Sequence, residues 1–169
     1  AGIITASDEV EKIGIEKSIK QAEESDLIIA IFDSSKELTK ACSEIQTPVN
    51  DGNAVITPAF NMKNAKFIIH AVGPDFRQTP KAFLELFNAY YNSLVLLKDN
   101  GLHSISFPLI SSGIFRGNLS NPAGESAKQC GYAYKKFIQE FPNYEVDLIL
   151  SAFGSAEFQN AKDELESLS

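Results

Sequence analysis

The chain has 169 residues, of which 44% are hydrophobic, which is enough for one globular domain with a buried core. Its 15 Lys and Arg residues against 22 Asp and Glu residues give a formal net charge of −7. That charge argues against an extended basic surface for nucleic acid or an anionic membrane. It leaves open the binding of one small phosphate ligand through backbone N–H groups.

The chain offers little for covalent cross-links, metals or membrane insertion. Its two cysteines, Cys42 and Cys130, are too few for a disulfide framework or a zinc site, so we expect idle thiols in a reducing compartment. There is no signal peptide and no apolar run of the ~18 residues that a membrane-spanning helix needs. We therefore predict a cytoplasmic monomer that binds neither nucleic acid nor membrane and has no metal or other cofactor.

The first half of the chain alternates predicted helices and strands. Residues 8–25 place apolar side chains on one face of a helix, and residues 27–32 are a continuous apolar run, typical of a strand buried on both faces. A short helix is predicted over 36–46. Residues 53–58 and 65–72 are predicted strands, and because their connection is too short for a crossover helix, we expect them to pair antiparallel.

The second half continues the alternation. Pro80 opens a predicted amphipathic helix that ends at Asn100. The next predicted strand, over 105–110, contains Pro108, which lacks an N–H group, so we expect a local break there. A helix over 124–141, a strand over 146–153 and a helix from residue 155 onward follow. The sum is a single domain over 1–169, a three-layer α/β/α sandwich around a mixed, mostly parallel five-stranded sheet with about five helices.

Ligands of such sheets bind beyond the carboxyl ends of the central strands. Two loops qualify, namely Asp33, Ser34 and Ser35 after the first strand, and residues 111–117 after the fourth. In the second loop, small residues let backbone N–H groups converge on an anion, and two serines add hydroxyl donors. Phe115 is positioned to cover a sugar or base, and Arg116 to reach a phosphate. A plain turn into the next helix is the alternative.

Three segments of the chain resemble the macro domain family and occur in the family's order. They are residues 52–61 (GNAVITPAFN), 65–74 (AKFIIHAVGP) and 104–115 (SISFPLISSGIF). The resemblance runs from about residue 41 to the end. It implies the macro domain fold, ADP-ribose binding and, as in many members, hydrolysis of ADP-ribosyl esters.

The resemblance also implies roles for particular residues. The loop that cradles the diphosphate and the distal ribose would be formed by Ser111, Ser112, Gly113, Ile114 and Phe115. Phe153, at the end of the last strand, resembles the family's aromatic residue that stacks near the adenine, and its alternative role is in the core. No catalytic residue follows from the resemblance.

The first forty residues depart from the family's pattern. Asp33, Ser34 and Ser35 stand where the family has an N-A-A-N strand end, and the family's glycine-triplet loop is absent. Residues 1–40 instead resemble a helix and strand of the GTPase domain of tRNA-modification GTPases (MnmE type). Because the chain has neither G-x-x-x-x-G-K-[ST] nor N-K-x-D, we expect no GTPase activity.

The two resemblances together indicate an engineered chimera, of the de novo type, joined between Leu38 and Cys42. In that hypothesis strand 27–32 lies at the centre of the sheet, beside strand 105–110. Asp33 then brings a negative charge near a bound diphosphate, and two unit charges ~5 Å apart repel by ~3 kcal/mol at an effective dielectric of ~20, about two decades of affinity. We therefore expect a vestigial ADP-ribose or phosphate site without turnover.

Two alternatives stay open on the sequence. One is a functional macro domain that binds ADP-ribose or hydrolyses its derivatives. The other is an interaction or structural domain whose helix over 8–25 meets a partner. Outside the candidate loops, we expect His70 to be a buried core histidine, Asp75 and Arg77 to be solvated loop charges, and Tyr90 to lie in the core or at its rim.

Overall fold

Five strands and three α-helices make up the part of the chain that the structure, a computed structural model, describes: residues 27–30, 48–59 and 65–168. The strands are β1 (Leu27–Ala30), β2 (Ala54–Pro58), β3 (Phe67–Ala71), β4 (Ser104–Pro108) and β5 (Asp147–Ser151). The helices are α1 (Phe83–Asp99), α2 (Pro122–Glu140) and α3 (Ser155–Ser167), with a 3₁₀ turn over Ile114–Arg116. The helices predicted over 8–25 and 36–46 lie outside the described residues.

The strands form one sheet in the order β2-β3-β1-β4-β5. β1 is the central strand and runs parallel to both neighbours, with Ile28 opposite Ile68 on one side and Ser106 on the other. The predicted position of strand 27–32 beside strand 105–110 is therefore confirmed for the four residues of β1. An apolar run without polar alternation suits a strand that has a hydrogen-bonded neighbour on each side.

The two ends of the sheet differ in direction. β2 pairs antiparallel with β3, from Ala54 opposite Ala71 to Pro58 opposite Phe67, as the short connection predicts. β5 pairs parallel with β4 along its whole length. As a result β1, β3, β4 and β5 all point the same way, and their carboxyl ends share one edge of the sheet.

The main core lies between the sheet and the helices α1 and α2. It contains Ile69 from β3, Ile105 and Phe107 from β4, Leu94 from α1 and Phe137 from α2, all fully buried. Each such side chain contributes about 1.5–3 kcal/mol relative to exposure in water. A smaller cluster joins α2 to α3.

The opposite face of the sheet is covered as well, because Ile68 and His70 of β3 are also buried. The predicted α/β sandwich with a mostly parallel five-stranded sheet is thus confirmed. Cys130 on α2 is a buried free thiol, as expected, and burial raises its pKa above the ordinary value. Cys42 lies outside the described residues.

Two helices begin at other residues than the sequence predicts. α1 begins at Phe83 rather than at Pro80, because the N–H groups of Gln78 and Thr79 both donate to the Asp75 carbonyl and close a turn there. α2 begins at Pro122, two residues before the predicted start, because the Asn121 side chain caps it and proline is compatible with the first turn.

The break predicted at Pro108 is confirmed, since β4 ends at that residue. Past it, the N–H of Ile110 donates to a side chain instead of a neighbouring strand. Among the described residues, no helix is both long enough and apolar enough to cross a lipid bilayer.

Candidate functional site

The loop over residues 111–117 leaves the carboxyl end of β4, at the edge where the central strand β1 also ends. Ser111 and Ser112 are buried, Gly113 and Ile114 are exposed, and Phe115 is half-buried. Phe153 follows β5 at the same edge and is 44% exposed, so it is not a core residue. Asp33, Ser34 and Ser35 lie outside the described residues.

Two helices hold the base of this loop through a buried hydrogen-bond network, formed by Tyr90 on α1, Ser126 on α2 and Ile110 at the end of the strand. The Ile110 N–H donates to the Tyr90 hydroxyl at 2.8 Å, and the Ser126 hydroxyl donates to the Ile110 carbonyl at 2.7 Å. The Tyr90 hydroxyl lies 2.7 Å from the Ser126 hydroxyl and 3.2 Å from the Pro108 carbonyl, both of which can accept its hydrogen. We call Tyr90, Ser126 and Ile110 the buried flank.

Burial and hydrogen bonding hold the buried flank in one arrangement. Burial raises the pKa of the Tyr90 hydroxyl well above its ordinary value, so the group stays protonated. Both backbone groups of Ile110 are satisfied by side chains in a place where an unpaired polar group costs about 1–3 kcal/mol. Sequence analysis places Tyr90 in the core or at its rim but gives no signal for this network.

Ser111 has a left-handed backbone conformation, with φ of 58°. Such a conformation costs a non-glycine residue roughly 1–2 kcal/mol, and the Ser111 hydroxyl helps to hold it by donating to the Pro74 carbonyl at 2.8 Å. The Ser112 hydroxyl donates to the Leu109 carbonyl at 2.9 Å. Both hydroxyls are thus directed into the fold, which corrects the prediction that they add donors for an anion.

The backbone of the loop supplies the donors instead. Within the described part of the chain, no group accepts a hydrogen bond from the N–H of Gly113, Ile114 or Phe115. Apart from its chain neighbours, no described residue has an atom within 4 Å of a Cβ built on Gly113. Successive unpaired N–H groups beside open space form the kind of concave site that binds anions.

On its other side the loop lies against residues 73–77, which we call the exposed flank. The Phe76 N–H donates to the Phe115 carbonyl at 2.9 Å. The Phe76 carbonyl oxygen would be 2.5 Å from a Cβ atom on Gly117, whose φ is 57°. A side chain at position 117 is therefore excluded both by its backbone conformation and by a backbone neighbour that cannot rotate away.

A charged pair on the exposed flank contacts the loop from outside. The Arg77 guanidinium donates to both carboxylate oxygens of Asp75, with Nε to Oδ1 at 2.9 Å and Nη2 to Oδ2 at 2.7 Å. The Arg77 guanidinium carbon lies 5.1 Å from the centre of the Phe115 ring. We call Asp75, Arg77 and Phe115 the clasp.

The expectation that Asp75 and Arg77 are solvated loop charges holds only in part. The Arg77 side chain is 51% exposed, as that expectation requires, but it is paired and stacked rather than free. The hydrogen bond from Arg77, above all, lowers the pKa of Asp75 to about 2. An Asp and an Arg two positions apart in a loop form no recognised pattern, so sequence analysis could not find the stacking on Phe115, which is distant in the chain.

The remaining candidates have structural surroundings. His70 is buried, its Nε2 lies 2.8 Å from the Thr57 hydroxyl, and burial lowers its pKa, which confirms the core interpretation. Arg116 is exposed on the 3₁₀ turn. Across the residues described, His, Cys, Asp and Glu side chains form no group of three that could hold a metal ion.

Comparison with protein families identifies residues 30–124 as a match to the Macro domain family. The match includes β1 to β4 in part or whole, the exposed flank and the candidate loop. It begins at residue 30 rather than near residue 41, so it runs through Asp33, Ser34 and Ser35 and across the junction expected between Leu38 and Cys42. The comparisons lend no support to a GTPase fragment or to a chimera.

Among the curated relatives, an uncharacterised protein of Fusobacterium nucleatum is 42% identical over 123 residues, which are 72% of this chain and 66% of that protein. A protein of Salmonella typhimurium named O-acetyl-ADP-ribose deacetylase is 41% identical over 113 residues, which are 66% of this chain and 58% of that protein. The chain therefore spans somewhat over half the length of the curated relatives it matches.

Solved structures agree in fold. A macrodomain of Oceanobacillus iheyensis with ADP superposes with a TM-score of 0.71 at 27% identity, over 86% of this chain and 85% of that one. A Trypanosoma brucei macrodomain in complex with ADP-ribose superposes with a TM-score of 0.64 at 18% identity, over 83% of this chain and 63% of that one.

Proposed function

Because the chain belongs to the macro domain family, we propose that it binds ADP-ribose and that the backbone N–H groups of Gly113, Ile114 and Phe115 receive the diphosphate. The observation that carries this proposal is that these three consecutive donors lie unpaired, within the described part of the chain, at the carboxyl edge of a parallel sheet. Ligands of parallel α/β sheets bind at that edge. Backbone dipoles need no basic side chains, which agrees with a net charge of −7.

The electrostatics of the exposed flank support this proposal over a vestigial site. Asp75 is the carboxylate next to the loop, and its charge is matched by the bidentate bonds from Arg77. A diphosphate at Gly113 therefore meets no unpaired carboxylate from that side. The expected repulsion from Asp33 stays a prediction, and so do ligand contacts by Ser34 and Ser35.

Two aromatic residues fit the other parts of the ligand. Phe115 is half-buried beside the N–H donors, where its ring can cover a ribose. Phe153 is exposed at the same sheet edge, where its ring is accessible for stacking on adenine. Ser111 and Ser112 shape the loop through their inward hydrogen bonds, and any contact they make with the ligand comes from their backbone.

The proposal is tested by removing one donor. Ile114 is the first residue of the 3₁₀ turn, a position that accepts proline in helices, and proline there removes the N–H group. Titration calorimetry with ADP-ribose should show binding by the native protein and roughly tenfold weaker binding by Ile114→Pro. The matched control Ile114→Ala removes an exposed side chain but keeps the N–H, and its affinity should stay within about twofold of the native value.

Two results would contradict the proposal. Absence of ADP-ribose binding by the native protein would remove it altogether. Equal affinities of the proline and alanine variants, with both folded by circular dichroism, would move the diphosphate away from this loop.

A second candidate function is hydrolysis of O-acetyl-ADP-ribose, favoured by the 41% identity to proteins named as its deacetylases. Water adds to the acetyl carbonyl, the ester C–O bond breaks, and acetate and ADP-ribose are released. We assign no catalytic base, because Asp75 is engaged by Arg77 and His70 is buried beside Thr57. Acetate release that exceeds the uncatalysed rate and stops with excess ADP-ribose would support this function, and its absence would leave ADP-ribose binding alone.

A further inference from the structure

We infer that Arg77 is a positioning residue for the bound ligand, because the clasp fixes the loop in the conformation that offers its three N–H donors. This inference deepens the proposed function and rests on it. It assigns a role in ligand binding to a pair of charges in the segment that precedes α1.

The first step of the argument is the rigidity of the pair. Asp75 accepts hydrogen bonds from the Arg77 backbone N–H at 3.0 Å, from the Arg77 side chain at two atoms, and from the Gln78 side-chain amide at 3.1 Å. Bidentate pairing of a guanidinium with a carboxylate fixes the plane of the guanidinium group. Arg77 is therefore held in one orientation although it is half-exposed.

The second step is what that orientation does to Phe115. The guanidinium lies over the ring at 5.1 Å, within the range of a cation–π interaction. The Phe115 carbonyl is held by the Phe76 N–H. Ring and backbone of Phe115 are thus both restrained by the exposed flank, and Phe115 itself carries one of the three unpaired N–H groups.

The third step separates positioning from global stability. Ion pairs between exposed side chains contribute little to the free energy of unfolding. A loop that is ordered before binding, however, loses less conformational entropy when the ligand arrives. The clasp should therefore affect the affinity for ADP-ribose while leaving the unfolding temperature nearly unchanged.

The experiment compares Arg77→Lys and Arg77→Ala. Lysine keeps the positive charge but loses the planar group and the bidentate pairing, so a positioning role predicts that both variants bind ADP-ribose roughly three- to tenfold more weakly. Lys136→Ala is the matched control, since Lys136 is likewise an exposed cation that pairs with a carboxylate, Glu140, and lies over an aromatic ring, Tyr91, but belongs to α2 and not to the loop. Its affinity for ADP-ribose should equal that of the native protein. Unfolding temperatures of all three should lie within about 2 °C of the native value.

A double-mutant cycle with Phe115→Leu tests whether the two side chains act together. If Arg77 acts through the ring, adding Arg77→Lys to Phe115→Leu should weaken ADP-ribose binding less than Arg77→Lys does alone. Additive losses of affinity in the double variant would overturn the inference. Native affinity of Arg77→Lys would overturn it as well, because it would show that only the positive charge at position 77 matters.

A separate readout applies if the native protein binds no ADP-ribose, in which case the proposed function fails. Amide hydrogen exchange of residues 113–115 without ligand then decides the role of the clasp. Faster exchange in Arg77→Lys than in Lys136→Ala would support a clasp that orders the loop. Equal exchange rates in the two variants would overturn it.

Discussion

The loop over residues 111–117 is held from two sides by different means. The buried flank fixes both backbone groups of Ile110 by hydrogen bonds from fully buried side chains. On the exposed flank, the buried residue Phe76 contacts Phe115 and Gly117 through its backbone, and the half-exposed Arg77 lies over the Phe115 ring. Because an unpaired buried polar group costs more than a lost exposed ion pair, we expect the buried flank to control stability and the clasp to control the shape of the site.

The largest effect is expected on the exposed flank, where the backbone of Phe76 contacts Gly117. Gly117→Ala puts a methyl group about 2.5 Å from the Phe76 carbonyl oxygen at a residue with φ of 57°. We expect a loss of about 2–4 kcal/mol in the free energy of unfolding, measured with urea.

Gly101→Ala is the matched control for this change. Gly101 also has a positive φ, of 66°, but a Cβ atom there would meet nothing within 4 Å. That variant should lose only about 1 kcal/mol, which is the cost of the left-handed conformation. Equal losses at the two positions would mean that the contact between Gly117 and Phe76 contributes nothing.

A smaller effect is expected from the buried flank. Tyr90→Phe removes the hydroxyl that accepts from Ile110 and contacts the Ser126 hydroxyl, and it leaves the Ile110 N–H buried without a partner. We predict a loss of about 1–3 kcal/mol in stability and, because Ile110 precedes the loop, weaker binding of ADP-ribose as well.

Tyr91→Phe provides the control on the same helix. The Tyr91 hydroxyl donates to Glu140 at the surface, so its removal should cost less than about 0.5 kcal/mol. If the two variants unfolded at the same urea concentration, the buried hydrogen bonds of Tyr90 would contribute no more to stability than a hydroxyl at the surface does.

The smallest effect is a pH dependence of the stability, which we expect to arise from His70, a residue of neither flank. Burial lowers the pKa of His70 from its ordinary value of 6.5, so the folded state binds the proton less readily than the unfolded state does. The stabilisation is complete above pH 6.5 and decreases as the pH falls below it. Asp75, with a pKa of about 2, keeps its charge over this range.

Between pH 7 and pH 5 the unfolding temperature of the native protein should therefore fall further than that of His70→Gln. Because Asp75 stays charged between pH 7 and pH 5, the contribution of the clasp to the affinity for ADP-ribose should not change over that range. A native protein and a His70→Gln variant with parallel pH profiles would show that His70 does not titrate on unfolding.

The succession of strands and helices along the described residues could be predicted from the sequence because each element has a strong local signal, whereas the central position of strand 27–32 follows from the resemblance to the family. The apolar run at 27–32 has no polar alternation, and the connection between β2 and β3 is too short for a parallel crossover. The start of α1 could not be predicted, since Pro80 is an acceptable first helical residue, and a turn closed by the Asp75 carbonyl displaces the helix to Phe83.

The candidate site was predictable only in outline. Glycine and serine after β4 indicate an anion-binding loop, but the same pattern led to a wrong role for the hydroxyls of Ser111 and Ser112, which donate to Pro74 and Leu109. A hydroxyl bonds to whichever acceptor lies nearest in three dimensions, and sequence spacing does not contain that information. The interpretation of residues 1–40 as a GTPase-like piece failed to gain support for a related reason, since a helix followed by an apolar strand is common to many α/β folds.

By itself, the sequence determined the class of the fold, the loop that follows β4 and the membership of a family, because periodicity and local motifs are properties of neighbouring residues. Only the tertiary structure decided that Tyr90 and Ser126 hold Ile110, that Arg77 covers Phe115, and that three N–H groups of the loop stay unpaired among the described residues. Those contacts join residues 16 to 38 positions apart. They exist because the sheet brings the ends of separate elements to one edge, where hydrogen bonds and ring contacts depend on distance in space.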